Sequence, residues 1–249
     1  MNFIAFRSKK RKYLFPGLAL CVSLMGSLGV TAQLRDYMNL PEHDTKPYYL
    51  GIGFMFTSSH LQVTAHPQFL QSDSVLYVNP MNSYGFGVSG MATLRVSPHV
   101  ELRLAAPEFL FSSNQIAYHI THPPAGEQTL STKQIESLLV GFPLQVKFLS
   151  DRIANFRVYM LGGFNYRYDL ESNSSARKAE NLVKLSPSDL SVEAGLGFQF
   201  FFPVFILTPE LKFSNGIKNI HSRDPNLQYS NVIDKLKSRM IIFSLIFEG

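Results

Sequence analysis

The sequence predicts an all-β fold, an eight-stranded antiparallel up-and-down transmembrane β-barrel preceded by a cleaved signal peptide. Three observations carry that expectation. Segments of strand length alternate between large apolar residues and Gly, hydroxyl or charged residues. The connections between them alternate between short and long. The N-terminus joins a basic stretch to an apolar run of export-signal length.

The leader comes first. Arg7, Lys9, Lys10, Arg11 and Lys12 precede LALCVSLMGSLGV (18–30), and Val30, Thr31 and Ala32 provide small residues for cleavage before Gln33. A basic region, a short apolar region and a small-residue exit form a Sec-type export signal. Pro16 and Gly17 interrupt the longer apolar reading that a membrane anchor would require. Residues 1–32 are therefore read as signal peptide and 33–249 as the barrel domain. The chain carries a net charge of +5, and the leader supplies five bases and no acid, so residues 33–249 are neutral overall. The positive charge therefore belongs to the leader and gives no inference toward nucleic acid, which is not expected as a partner. The single cysteine, Cys21, falls in the leader, and Leu20 before it does not suit lipidation.

The strands follow. YYLGIGFMF (48–56) sets Leu50, Ile52, Phe54 and Phe56 against Gly51 and Gly53. YGFGVSGMATLRVSPHVELRLAA (84–106) holds two strands about a turn at Pro98-His99. Its large residues face Gly85, Gly87, Ser89, Thr93, Arg95, Glu101 and Arg103. ESLLVGFPLQVKF (136–148), FRVYMLGGFNYRY (156–168), LSVEAGLGFQFF (190–201) and FILTPELKF (205–213) repeat the pattern, and RMIIFSLIF (239–247) closes the set of eight. A strand of about ten residues crosses a bilayer at a tilt.

Short links at 97–99, 149–155 and 202–204 alternate with long ones at 57–83, 112–134, 169–189 and 214–238, as in a meander with turns at one rim and loops at the other. Closure matters because lipid cannot satisfy an open sheet edge. Tyr48, Tyr49, Tyr84, Tyr166 and Tyr168 fall near strand ends and are expected in an aromatic girdle, which has no Trp to draw on. Alternation alone leaves a soluble lipocalin-like barrel open, with apolar residues inside. The size of the apolar face argues against it, because Phe and Leu at nearly every position would overfill a small lumen. Charged residues at only 16% of the chain point the same way.

The inward parity holds the charges. Arg95, Glu101, Arg103, Lys147, Arg157, Arg167, Glu193, Glu210 and Lys212 are expected to form a structural charge network in the lumen, because buried charges must pair. HITH (119–122) places two histidines in a long connection with no third ligand beside them. No G-x-S-x-G, Walker loop or H-E-x-x-H is present. The sequence thus predicts no catalytic residue, no metal and no cofactor, and makes outer-membrane lipid the first partner. HSRDPNLQYSNVIDKLKSR (221–239) reads equally well as a partner-binding loop or a solvated one.

The ordered blocks YYLGIGFMF, YGFGVSGMATLRVSPHVELRLAA, IESLLVGFPLQVKFLSDRIANFRVYMLGGFNYRYDL, LSPSDLSVEAGLGFQFFF, LTPELKFSNGIKNI and DKLKSRMIIFSLIFEG resemble the PorT-like outer-membrane barrels of Bacteroidetes. Within them lie Glu136, Pro143, Lys147, Arg152 and the paired glycines of 162–163. The terminal Phe247-Glu248-Gly249 departs from the final aromatic common in such barrels. The resemblance implies an outer-membrane, non-enzymatic role in type IX secretion, with other secretion components as partners. An outer-membrane lipid-modifying enzyme and a surface adhesin are the alternatives.

Overall fold

The computed structural model describes residues 38–65, 75–120, 130–171, 185–222 and 233–249. The expected cleavage site at Ala32 and Gln33, with Cys21, lies outside the described residues, as do His122 and most of the 221–239 connection.

A short 3-10 helix, Pro41–Thr45, leads into β1 (Tyr48–Ala65), β2 (Val75–Met81), β3 (Ser83–Ser97), β4 (Val100–Ile120), β5 (Leu130–Leu149), β6 (Phe156–Asp169), β7 (Ser188–Phe201), β8 (Ile206–Gly216) and β9 (Ile233–Glu248). Every pairing is antiparallel. β3 to β9 follow one another around the wall, and β1 joins β3 on one side and β9 on the other, closing an eight-stranded ring. β2 is not a ninth stave. Only Asn82 separates it from β3, and it continues the same hairpin along β4, from Met81 opposite Gln115 to Val75 opposite Ile120. No helix among the described residues is long and apolar enough to cross a membrane.

Alternation sorts the side chains as a membrane barrel requires. Leu50, Ile52, Phe54 and Phe56 of β1 are exposed on the outer face, with Phe142, Phe148, Met160, Phe164 and Phe213 around the ring. The partners of opposite parity are buried inside: Lys147 and Glu101 are 0% exposed and Arg103 is 2%. The core is therefore the lumen, and it is mostly polar. Its apolar part includes a cluster of Met55, Leu110, Met240 and Ile242 with Leu139 against it, and a second group of Leu149, Tyr159 and Leu161.

Three expectations need correction. The connections at 57–83 and 112–134 are largely strand: β1 runs on to Ala65, β4 to Ile120, and β5 starts at Leu130, paired with His119. His119 therefore stands in a strand rather than a loop. Beyond Phe56 and Phe111 the outward positions turn polar, Ser58, His60 and Gln62 on β1 and Ser113 and Gln115 on β4, so the apolar stripe that marks a strand stops although the hydrogen-bonded ladder continues. Second, the register of β4 slips against β5 between Leu104 and Glu108, across Ala105-Ala106-Pro107. An irregularity there resets the parity and turns Glu108 and Leu110 inward. Third, Tyr49 leaves the girdle. Tyr48, Tyr84 and Tyr166 are exposed outside, but Tyr49 is 2% exposed inside the barrel.

Candidate functional site

Two ionic clusters fill the lumen. In the one nearer the short-turn rim, Glu101 accepts from Arg95 Nη2 (2.9 Å), lies 3.0 Å from Lys147 Nζ and accepts from Tyr49 Oη (2.6 Å). Lys147 donates to Tyr49 Oη at 2.9 Å and sits 4.4 Å from the centre of the Tyr159 ring. Arg103 Nη1 donates to Glu210 Oε2 at 2.7 Å, and the Tyr159 hydroxyl donates to the same oxygen. Arg103 Nη2 reaches Glu248 Oε1 at 3.4 Å, and Glu248 also accepts from Gln199 (3.0 Å) and Thr208 (2.9 Å).

The second cluster centres on Arg167. Its Nη2 donates to Glu193 Oε1 at 2.5 Å, its Nε to Glu108 Oε1 at 3.4 Å, and its Nη1 to the hydroxyls of Ser191 and Ser214 at 2.8 and 2.9 Å. Asn165 bridges Glu108 and Glu193, and Gln145 donates to Glu193 at 2.6 Å. Lys212 links the clusters, 3.9 Å from Glu193 and 3.8 Å from Glu210. Each long side chain needs a gap in the opposing wall. Gly141 leaves room for the Glu108 carboxyl, where a Cβ would meet it at 2.6 Å, and Gly197 leaves room for the Tyr159 ring.

Five bases (Arg95, Arg103, Lys147, Arg167, Lys212) thus face five acids (Glu101, Glu108, Glu193, Glu210, Glu248), each carboxylate within 4.0 Å of a cation. Charges matched this closely hold opposite walls together and obstruct the lumen. Buried pairs of this kind stabilise only when both partners are present and hydrogen-bonded.

Arg157 goes elsewhere. It reaches Asp44 at 2.8 Å in the 3-10 segment, which folds into the short-turn mouth as a plug. Arg152 holds the same plug. It pairs with Asp44 at 3.1 Å, donates to the carbonyls of Asn39 and Leu40, and stacks 3.6 Å from the centre of the Phe201 ring. Partial burial lowers its pKa below the usual guanidinium value, against the opposing pull of Asp44. Arg95 reaches across to the His43 carbonyl at 2.9 Å. His43 is 1% exposed between Tyr49 and Phe201, with no hydrogen bond to either ring nitrogen. Burial, and then the Arg95 charge, lowers its pKa from 6.5 to about 4, so it is neutral at pH 7.

Of the nine expected charges, eight therefore lie in the two clusters and Arg157 binds the plug. Sequence reading missed four members. Glu108 is hidden by the irregularity, for which Pro107 in a strand is the signal. Glu248 stands next to the end, where the parity count from Phe247 was not continued. Tyr49 and Tyr159 read as ordinary aromatics until the opposing walls are known.

Residues 39–222 match the family described as Outer membrane protein beta-barrel domain, which reaches from the plug through β8. The chain belongs to that family. The family places the protein in the outer membrane. No curated protein sequence matches the chain. Among solved structures it is similar to OprG from Pseudomonas aeruginosa (16% identity, 81% of this chain and 94% of that one, TM-score 0.43). It is also similar to Neisserial surface protein A (9%, 79% and 95%, TM-score 0.39) and to Ail of Yersinia pestis (11%, 82% and 100%, TM-score 0.36).

Proposed function

We propose that the chain is a non-enzymatic outer-membrane component required for type IX secretion, the export of cargo to the cell surface. The ordered PorT-like blocks support this reading, and the obstructed lumen says how such a role is exercised. Ten paired charges and a periplasmic plug leave cargo no route through the barrel. The protein therefore acts on other secretion components through its rims and outer face. Glu101, Glu108, Glu193, Glu210 and Glu248 are all engaged by cations, so the lumen is read as scaffold rather than catalytic site.

Deleting the gene tests this reading. The expected outcome is surface-exported proteins held in the periplasm with uncleaved sorting domains, and export restored by the wild-type copy. Normal export in the deletion strain overturns the proposal. A loss of host-cell attachment or a change in lipid composition would then point to a surface-binding barrel or a lipid-modifying enzyme.

A further inference from the structure

We infer that the outer face of β9, just above the membrane band, binds the phosphate groups of an outer-leaflet glycolipid. The inference rests on the outer-membrane location, with the long hairpins facing outward as is general for such barrels, and not on a role in secretion. On the outward parity of β9, Lys235, Lys237 and Arg239 follow one another directly beyond Ile241, which is 45% exposed at the edge of the apolar face. Alternate residues of a strand are roughly 7 Å apart, so the three cations form a ladder about 14 Å long. The neighbouring strands fix its level. Arg239 is opposite His60 of β1 and Asn215 of β8, each two residues or more beyond an exposed Phe, Phe56 and Phe213. Exposed Lys218 follows β8 at the same rim.

The surroundings of these cations differ from those of the lumenal ones. Among the described residues no ion pair engages Lys218, Lys235, Lys237 or Arg239. Arg239 donates to the Asn215 amide oxygen at 3.4 Å, and Gln62, with its amide turned to satisfy both groups, accepts from it. Lys218 donates to the Ser188 hydroxyl. Neutral partners orient these side chains without neutralising them. The far side of the ring at the same level has no such ladder: Ser113 and Gln115 on β4 are opposite Glu136 and Gln134 on β5. A one-sided row of uncompensated cations at the headgroup boundary fits a phosphorylated headgroup whose acyl chains lie on the apolar face below. Arg and Lys are the side chains suited to phosphate, and each adds about 1 kcal/mol near an anionic surface.

The test uses the full-length barrel in detergent, with purified lipopolysaccharide, the same material after enzymatic dephosphorylation, and sucrose octasulfate as a soluble polyanion. Binding of intact lipopolysaccharide is expected to weaken about a hundredfold in Lys235→Gln/Lys237→Gln/Arg239→Gln, at about fivefold per cation. The dephosphorylated form should bind wild type and variant alike, and Lys235→Arg/Lys237→Arg should keep its affinity. Should the triple variant fail to fold, Lys237→Gln and Arg239→Gln singly are each expected to lose about fivefold. Equal lipopolysaccharide binding by wild type and folded variants overturns the inference. So does sucrose octasulfate binding as tightly as lipopolysaccharide, which would make the ladder a site for any polyanion rather than for a lipid headgroup.

Discussion

Arg103 on β4 and Arg239 on β9 are the same residue type on the inner and the outer face of the barrel. Arg103 is 2% exposed and pairs with Glu210 and Glu248. Arg239 is exposed and rests on amides. Inside, water is scarce, so an unpaired charge carries a large desolvation cost and the sequence supplies an acid for every base. Outside, at the headgroup level, water and lipid solvate the cation, and nothing in the fold needs its partner to be a protein carboxylate. A lumenal charge therefore belongs to stability and an outer one to binding, and substitutions on the two sides separate these roles.

The largest effect is expected from Glu210→Ala. It leaves Arg103, among the described carboxylates, only the longer 3.4 Å contact to Glu248 and removes the Tyr159 acceptor, at a cost of about 3–5 kcal/mol for breaking a buried pair. Urea unfolding of the barrel in detergent, followed by circular dichroism, reads it. Arg103→Met with Glu210→Leu should recover most of the loss, because Glu248 then keeps Lys147 at 3.9 Å and Lys212 keeps Glu193 at 3.9 Å, so no charge is left unpaired. A double variant as unstable as the single one would contradict the pairing argument.

Gly197→Ala comes next. The new methyl would occupy the Tyr159 ring position and push the ring off its contacts with Glu210 and Lys147, costing about 1–3 kcal/mol by overpacking. A drop in melting temperature that Gly197→Ala/Tyr159→Phe shares in full would still locate the clash at the ring. A drop that Gly197→Ala/Tyr159→Ala removes would locate it beyond dispute, and an unchanged Gly197→Ala would contradict the packing.

Arg152→Ala acts on the plug alone. It removes the Asp44 pair, two carbonyl contacts and the stack on Phe201, roughly 1–3 kcal/mol of local docking. A cysteine placed at Met38 should label faster while barrel unfolding stays unchanged. Equal labelling would mean that Arg157 and Arg95 suffice.

Acid should loosen the same plug. His43 takes up a proton near pH 6.5 when undocked but only near pH 4 when docked, so docking is strongest above pH 6.5 and weakens, by up to tenfold per unit, down to about pH 4. Arg95, Glu248, Asp44 and Glu101 face it, and His43→Phe isolates its share. Cysteine labelling at pH 5 and 7 measures this. A variant with the same pH dependence as wild type would assign the effect to those carboxylates.

The smallest stability effect belongs to the outer ladder. Lys235→Gln, Lys237→Gln and Arg239→Gln should each change unfolding by no more than about 0.5 kcal/mol, as exposed sites do. A larger loss would show that the two sides of the wall are not separate.

The sequence by itself determined the parity of the staves, and with it the outer apolar face and the inward set of charges. The period of a strand is two, and lipid on one side makes each position's polarity visible in the one-dimensional pattern. The sequence also determined that these charges had to pair, since an unpaired charge would not be tolerated inside.

Only the tertiary structure decided which base meets which acid, because Arg103 and Glu210 come from opposite walls and their distance depends on closure and register. It alone turned Glu108 inward, by a local slip that alternation cannot encode, and extended the hairpins where the outward face turns polar and the apolar stripe ends. It alone brought Asp44 and His43 into the short-turn mouth, since a five-residue 3-10 turn has no periodicity to betray it and is held there by Arg152 and Arg157 from the far side of the ring.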